Sequence, residues 1–163
     1  MEAAAIFLPL LGAIIAGFFG RQIGDRASQI VTCLGVGSAA VLSIPLFFDV
    51  AVNGNERVIT IMNWINSGTF ETAWALRFDT LSAVMVMTVT CVSSLIHVYS
   101  IGYMSHDDSK PRFMAYLSLF TFAMLMLVTA DNLIQLFFGW EGVGVVSYLL
   151  IGFWFKKPTA NAA

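Results

Sequence analysis

The chain has 163 residues, of which 58% are hydrophobic and 11% charged, with a mean hydropathy of +0.82. That balance excludes an ordinary soluble domain and points to an integral membrane protein. The formal net charge of −2 is uninformative about partners, and the absence of a basic tract or of basic–aromatic interleaving leaves no signature of nucleic-acid binding.

In chain order, the first apolar run predicts a helix over 3–20. Glu2 precedes it, and Arg21 and Arg26 follow it. A signal peptide carries its positive charge first, so this is read as a membrane helix whose N-terminus faces outward. Pro9 lies inside the run and is expected to kink it. A polar loop over 21–26 leads to a second helix over 28–50, with Pro45 near its outer end and Gly35 and Gly37 as positions of close helix approach. Cys33 and Cys91 stand singly in apolar runs, without metal-ligand spacing or a disulfide framework, and read as small buried hydrophobes.

Residues 53–78 break the helical pattern. Asn53-Gly54-Asn55 and Asn66-Ser67-Gly68 are turn signals. Between and after them, Val58 to Trp64 is rich in β-branched residues, and Phe70, Thr72, Trp74, Leu76 and Phe78 alternate with Thr69, Glu71, Ala73, Ala75 and Arg77. A period of two predicts a strand with one apolar face, hence a β-hairpin over about 56–78 on the outer membrane surface. An irregular loop carrying interfacial tryptophans is the alternative.

A third helix is predicted over 79–104. Ser82, Thr90, Ser93, His97 and Ser100 recur near one of its faces, a polar stripe that can line a hydrated path or bond neighbouring helices. His97 reads either as a neutral packing residue or as a proton relay. A polar loop over 105–112 follows, Pro111 suits the start of a fourth helix over 111–130, and Asp131-Asn132 turns the chain into a fifth over 132–155.

The fifth helix organises the rest. Between Asn132 and Lys156 the apolar run holds a single carboxylate, Glu141. At about 1.5 Å per residue this run is long enough to cross a bilayer core of about 30 Å, with Glu141 near mid-depth. An ionised carboxylate there costs about 2.5 kcal/mol or more, so such a group faces protein or water, finds a cation, or stays protonated. The other nine acids fall in loops or at helix ends. Glu141 therefore reads as a transport site, with a glutamate packed against a neighbouring helix as the structural alternative. Gly139, Gly142 and Gly144 around it permit close helix packing or leave room for water.

The basic residues set the orientation. Arg21, Arg26, Lys110, Arg112, Lys156 and Lys157 follow the first, third and fifth helices, whereas Arg57 and Arg77 lie on the opposite side. Six of eight on one side predicts that side to be cytoplasmic, or its mitochondrial equivalent. The expected fold is an all-α integral membrane domain over 1–163, with five transmembrane helices and a small outside hairpin between the second and third.

Phe78 to Met104 (FDTLSAVMVMTVTCVSSLIHVYSIGYM) and Arg112 to Trp154 resemble the third, and the fourth and fifth, helices of the large antiporter-like subunit of respiratory complex I. Trp140-Glu141-Gly142-Val143-Gly144 with Ser147-Tyr148-Leu149-Leu150-Ile151-Gly152 is the most specific part. The resemblance covers almost the whole chain and implies part of a proton-translocating subunit of NADH:quinone oxidoreductase. Glu141 is its protonatable residue, and a proton path past His97, Ser93 and Tyr148 is expected. In that family the glutamate pairs with a lysine on a later helix. No lysine lies in a predicted span here, so the chain corresponds to an N-terminal portion.

The resemblance further implies other membrane-arm subunits and the lipid bilayer as partners, in a bacterial or mitochondrial inner membrane. No dinucleotide fingerprint, cysteine cluster or metal site appears, so FMN, iron–sulfur clusters and quinone would belong to the rest of the complex. Two further classes stand beside this one: a subunit of a multisubunit cation/proton antiporter, and a structural membrane subunit without transport.

Overall fold

The computed structural model describes residues 1–155. The basic pair Lys156-Lys157 used for orientation lies outside the described residues. Four helices among them are long and apolar enough to cross a membrane. They are α1 (Glu2–Phe47), which continues as a π-helical turn over Phe48–Val52, α2 (Thr80–Tyr103), α3 (Lys110–Val128) and α4 (Leu133–Ile151). An antiparallel pair, β1 (Arg57–Ser67) and β2 (Phe70–Phe78), joins α1 to α2.

Helix α1 is not straight. Gly24, at φ 81° and ψ 172°, is its one residue with non-helical dihedrals, in a left-handed region that side chains other than glycine rarely adopt. The two limbs lie against each other. A Cβ on Gly35 would fall 2.9 Å from the Leu8 carbonyl oxygen, and one on Gly12 would fall 3.3 Å from the Thr32 Cα. These glycines let one limb's backbone approach the other's. At Pro9 the chain keeps helical dihedrals, and the Pro9 carbonyl accepts a hydrogen bond from Ser118 Oγ at 2.9 Å. The polar segment 21–26 keeps helical hydrogen bonding on both sides and concentrates the reversal at one glycine.

The remaining helices begin where side chains satisfy their first amides. Asp79 caps α2 by accepting from the Ser82 amide at 2.8 Å, and Ser82 Oγ accepts from the Asp79 amide at 2.8 Å, a reciprocal capping box. Pro111 sits in the first turn of α3, where its missing N–H is no loss. Asn132 Oδ1 accepts from the Gln135 amide and starts α4.

The hairpin turns at Gly68, with φ 64°. Its register runs from Arg57 opposite Phe78 to Ser67 opposite Phe70, and two irregularities, between Thr60 and Met62 and between Asn63 and Ile65, absorb the longer β1. The alternation of β2 holds at Thr72, Leu76 and Phe78, which are buried, and at Glu71 and Arg77, which are exposed; it fails at Phe70, which is exposed, and at Ala75, which is buried and donates its amide to Gln135 of α4. A buried apolar cluster joins this strand to the helix ends above it, with Ile6, Leu46, Val50, Leu76, Phe78, Val86, Leu125 and Met126 among its members.

Polar contacts sort the chain into two ends. At one, Arg57 bonds Glu2 and Asp49, each at 2.6 Å, and Arg77 pairs with Asp131 at 2.8 Å. At the other, Lys110 pairs with Asp25 at 2.9 Å, and Trp154 Nε1 donates to Asp107 at 2.8 Å. Between them, single hydroxyl contacts tie helix to helix: Thr90 to Ser43 at 2.9 Å, Ser93 to Thr121, and Ser118 to Pro9. Cys33 and Cys91 are unpaired and half-buried.

Candidate functional site

The Glu141 site is built by α4 and α3. α4 lies directly on α3 at two glycines. A Cβ on Gly139 would fall 2.7 Å from the backbone N and Cα of Leu127, and one on Gly142 would fall 3.2 Å from the Ala123 Cβ. Among the described residues, Gly144 has no atom within 4 Å of the corresponding position. Of the three glycines, two are packing positions and one opens onto unoccupied space.

This docking fixes where Glu141 points. It lies near the middle of α4, beside the packed stripe, and is exposed on the side that α3 leaves uncovered. A groove of about 290 Å³ runs along it, lined by Leu119, Phe122, Phe138, Gly139, Glu141 and Val145 among others. Apart from the glutamate the walls are apolar. Among the described residues Glu141 has no hydrogen bond and no ion pair. A carboxylate held in such a wall can exchange a proton with water, or pair with a cation brought to it, and α4 offers it neither.

The other expected path residues separate. Ser93 and His97 stand together inside the bundle. His97 is fully buried, its Nδ1 lies 2.8 Å from the Ser93 carbonyl oxygen, and Ser93 Oγ is hydrogen-bonded to Thr121 Oγ1 of α3. Tyr148 is 75% exposed on α4, in a separate groove with Arg112, Tyr116 and Phe153. No hydrogen bond among the described residues links Glu141 to His97, Ser93 or Tyr148.

Several polar residues of the interior are missing from the sequence reading, and two of them touch the elements that build these sites. Thr121 completes the Ser93 contact from α3. Gln135, fully buried at the start of α4, accepts from the Ala75 amide at 3.0 Å, and Asn132 Nδ2 donates to the Ala73 carbonyl at 2.8 Å, so α4 is fastened to β2. Trp74 lies between Trp64 and Phe138, with ring centroids 4.9 and 4.7 Å away, and extends that joint. A glutamine one turn into an apolar helix was the available signal for Gln135. Thr121 in a run of apolar residues gave a weaker one.

Comparison with known proteins bears on this arrangement. Residues 64–114 match the family model described as NADH-Ubiquinone oxidoreductase (complex I), chain 5 N-terminus. Residues 130–163 match the one described as NADH:quinone oxidoreductase/Mrp antiporter, TM. NADH-ubiquinone oxidoreductase chain 5 of Arabidopsis thaliana is 52% identical over 163 residues, covering 100% of this chain and 24% of that protein. The Hypocrea jecorina protein of that name is 49% identical over 161 residues, 99% of this chain and 23% of its own length. NADH-quinone oxidoreductase subunit L of Rhodobacter capsulatus is 50% identical over 170 aligned residues, with 100% and 24% covered. The chain spans about a quarter of the length of these relatives. With two family models matched and this level of identity along its whole length, the chain belongs to the chain 5/subunit L family of NADH:quinone oxidoreductases and corresponds to an N-terminal portion of it.

Proposed function

We propose that the chain forms part of a proton-translocating membrane subunit of NADH:quinone oxidoreductase in a bacterial or mitochondrial inner membrane, with Glu141 as a protonatable site. The observation that carries this reading is the position of Glu141: mid-helix, exposed beside an apolar groove, and without a partner among the described residues. An unpaired acid at that depth is costly, and such residues serve transport. The names of the relatives support the same reading.

In this reading the two limbs of α1 cross separately, giving five passes with α2, α3 and α4, and the hairpin lies outside between the second and third. The reversal at Gly24 and the division of ion pairs between two ends support that count. The exposed side of α4 faces further helices of the membrane arm, and the outer helix faces meet lipid. A positive charge brought close to a carboxylate favours its ionised form, and withdrawal of that charge favours proton uptake. Alternation of the two states, with alternating access to water, moves a proton. No redox step belongs to these residues.

The description of the second family model includes Mrp antiporters, which makes a cation/proton antiporter subunit the second reading. A tagged copy of the chain, expressed in its native membrane and purified gently, distinguishes them. Co-purification with NADH-oxidising subunits is the expected result; co-purification with antiporter subunits and no NADH oxidation favours the second reading.

A further inference from the structure

His97 is the one buried ionisable group of the described interior that the Glu141 scheme leaves unused. It is fully buried, and among the described residues its Nε2 has no hydrogen-bond partner. The rest of its surroundings is satisfied. The Ser93 carbonyl, 2.8 Å from Nδ1, can only accept, so Nδ1 carries the proton and donates. Thr121 Oγ1 donates to the Leu117 carbonyl at 3.1 Å, which leaves the Ser93 hydroxyl as donor to Thr121. Each hydroxyl proton of this cluster is committed. The one free valence is the lone pair on Nε2.

A buried acceptor left without a donor carries an uncompensated desolvation cost. A packing role does not require that cost: a ring of the same shape with no acceptor would pack equally well. The backbone of α2 itself fixes the tautomer, through the turn that brings Ser93 under His97, and so aims a basic nitrogen into the bundle. α3 stands between this cluster and the Glu141 groove, with Thr121 on one side and Leu119 and Phe122 on the other.

We infer that His97 is a proton-accepting station of the membrane interior, separate from Glu141, with Nε2 as the accepting atom. Nε2 takes a proton from a hydronium carried by internal water, leaving a neutral water molecule, and the ring becomes imidazolium. The same Nε2–H bond breaks when the proton passes to the next water or carboxylate. Nδ1–H stays on the Ser93 carbonyl throughout, holding the ring in place while the charge changes. Ser93 is then a positioning residue. This inference rests on the reading of the chain as part of a proton-translocating subunit.

The test uses the assembled complex in membrane vesicles, with NADH-driven proton uptake read beside assembly and NADH oxidation. His97→Gln keeps polarity and approximate size but removes the basic nitrogen, and is expected to assemble and to lower uptake by about tenfold or more. In His97→Ala vesicles, added imidazole is expected to restore uptake, whereas pyrazole, of nearly the same shape but a far weaker base, is not. Parental uptake by His97→Gln overturns the inference. So does equal restoration by imidazole and pyrazole, which would show that the ring only fills space. Where the alanine variant does not assemble, the glutamine variant decides. Absence of uptake in the parent itself would remove the underlying reading instead, so the two failures are distinct.

Discussion

Gly139 and Leu127 are in backbone contact: the Cβ that Gly139 lacks would lie 2.7 Å from both the N and the Cα of Leu127. Neither atom is the end of a flexible side chain, so any larger residue must push α4 away from α3. The groove beside Glu141 is lined by residues of both helices and would change with it. Gly139→Ala is expected to destabilise the packing by about 1–3 kcal/mol. Gly144→Ala, with nothing within 4 Å, should leave it nearly unchanged. The midpoint of thermal dissociation of the purified complex measures both. Equal midpoints for the two variants would contradict the assigned contact.

The capping box at α2 makes a pH-dependent prediction. The Ser82 amide donates to the Asp79 carboxylate, and this bond holds the Asp79 carboxyl below its usual range. A carboxyl whose folded value is depressed adds stability that is fully present above the unfolded value, about 3.9, and is lost as pH falls below it towards the folded value. Asp79→Asn can still cap but does not titrate, so its stability should vary less with pH in that acid window. Asp79→Ala should lose about 1 kcal/mol at neutral pH. Unfolding midpoints between neutral pH and pH 3 provide the check, and an asparagine variant with the parent's acid sensitivity would refute the assignment.

Sidedness gives a third prediction. Asn66, at the tip of the hairpin, and Asp108, between α2 and α3, are both exposed. Arg57 and Arg77 anchor the hairpin to the end that holds Glu2, Asp49 and Asp131, while Lys110 holds Asp25 at the other. With the native cysteines replaced, a cysteine at Asn66 should react with an impermeant reagent from outside. One at Asp108 should react only from the cytoplasmic or matrix side. The reverse pattern would invert the orientation.

Local chemistry was legible in the sequence wherever one residue's own preference determined the backbone. Pro111 marked the first turn of α3, and the alternation from Phe70 to Phe78 identified β2 and the burial of Thr72, Leu76 and Phe78, but not the exposure of Phe70 or the burial of Ala75. Asp79 and Asn132 stood at the boundaries of helices that they cap. Where two residues distant in sequence meet, the sequence was silent. Pro9 and Ser118, Ser43 and Thr90, and Ala75 and Gln135 pair only because the helices bring them together. Gly139, Gly142 and Gly144 look alike in sequence, and only the path of α3 separates two packing positions from an open one. Glu141 stood out because its neighbours are apolar, a contrast that needs no fold. The distance between the Glu141 groove and the Ser93–His97 cluster depends on α3 and was not legible.

Replacing Glu141 tests whether its carboxyl carries a transported proton. Glu141→Gln retains size and hydrogen bonding but cannot titrate, and Glu141→Asp retains the acid one methylene further back. The measurement is NADH-driven proton uptake into vesicles containing the full complex, with assembly followed on native gels. The account predicts normal assembly for both variants, uptake lowered by about tenfold or more in Glu141→Gln, and partial uptake in Glu141→Asp. A glutamine variant that assembles and takes up protons at the parent's rate would make Glu141 a packing residue and contradict the account.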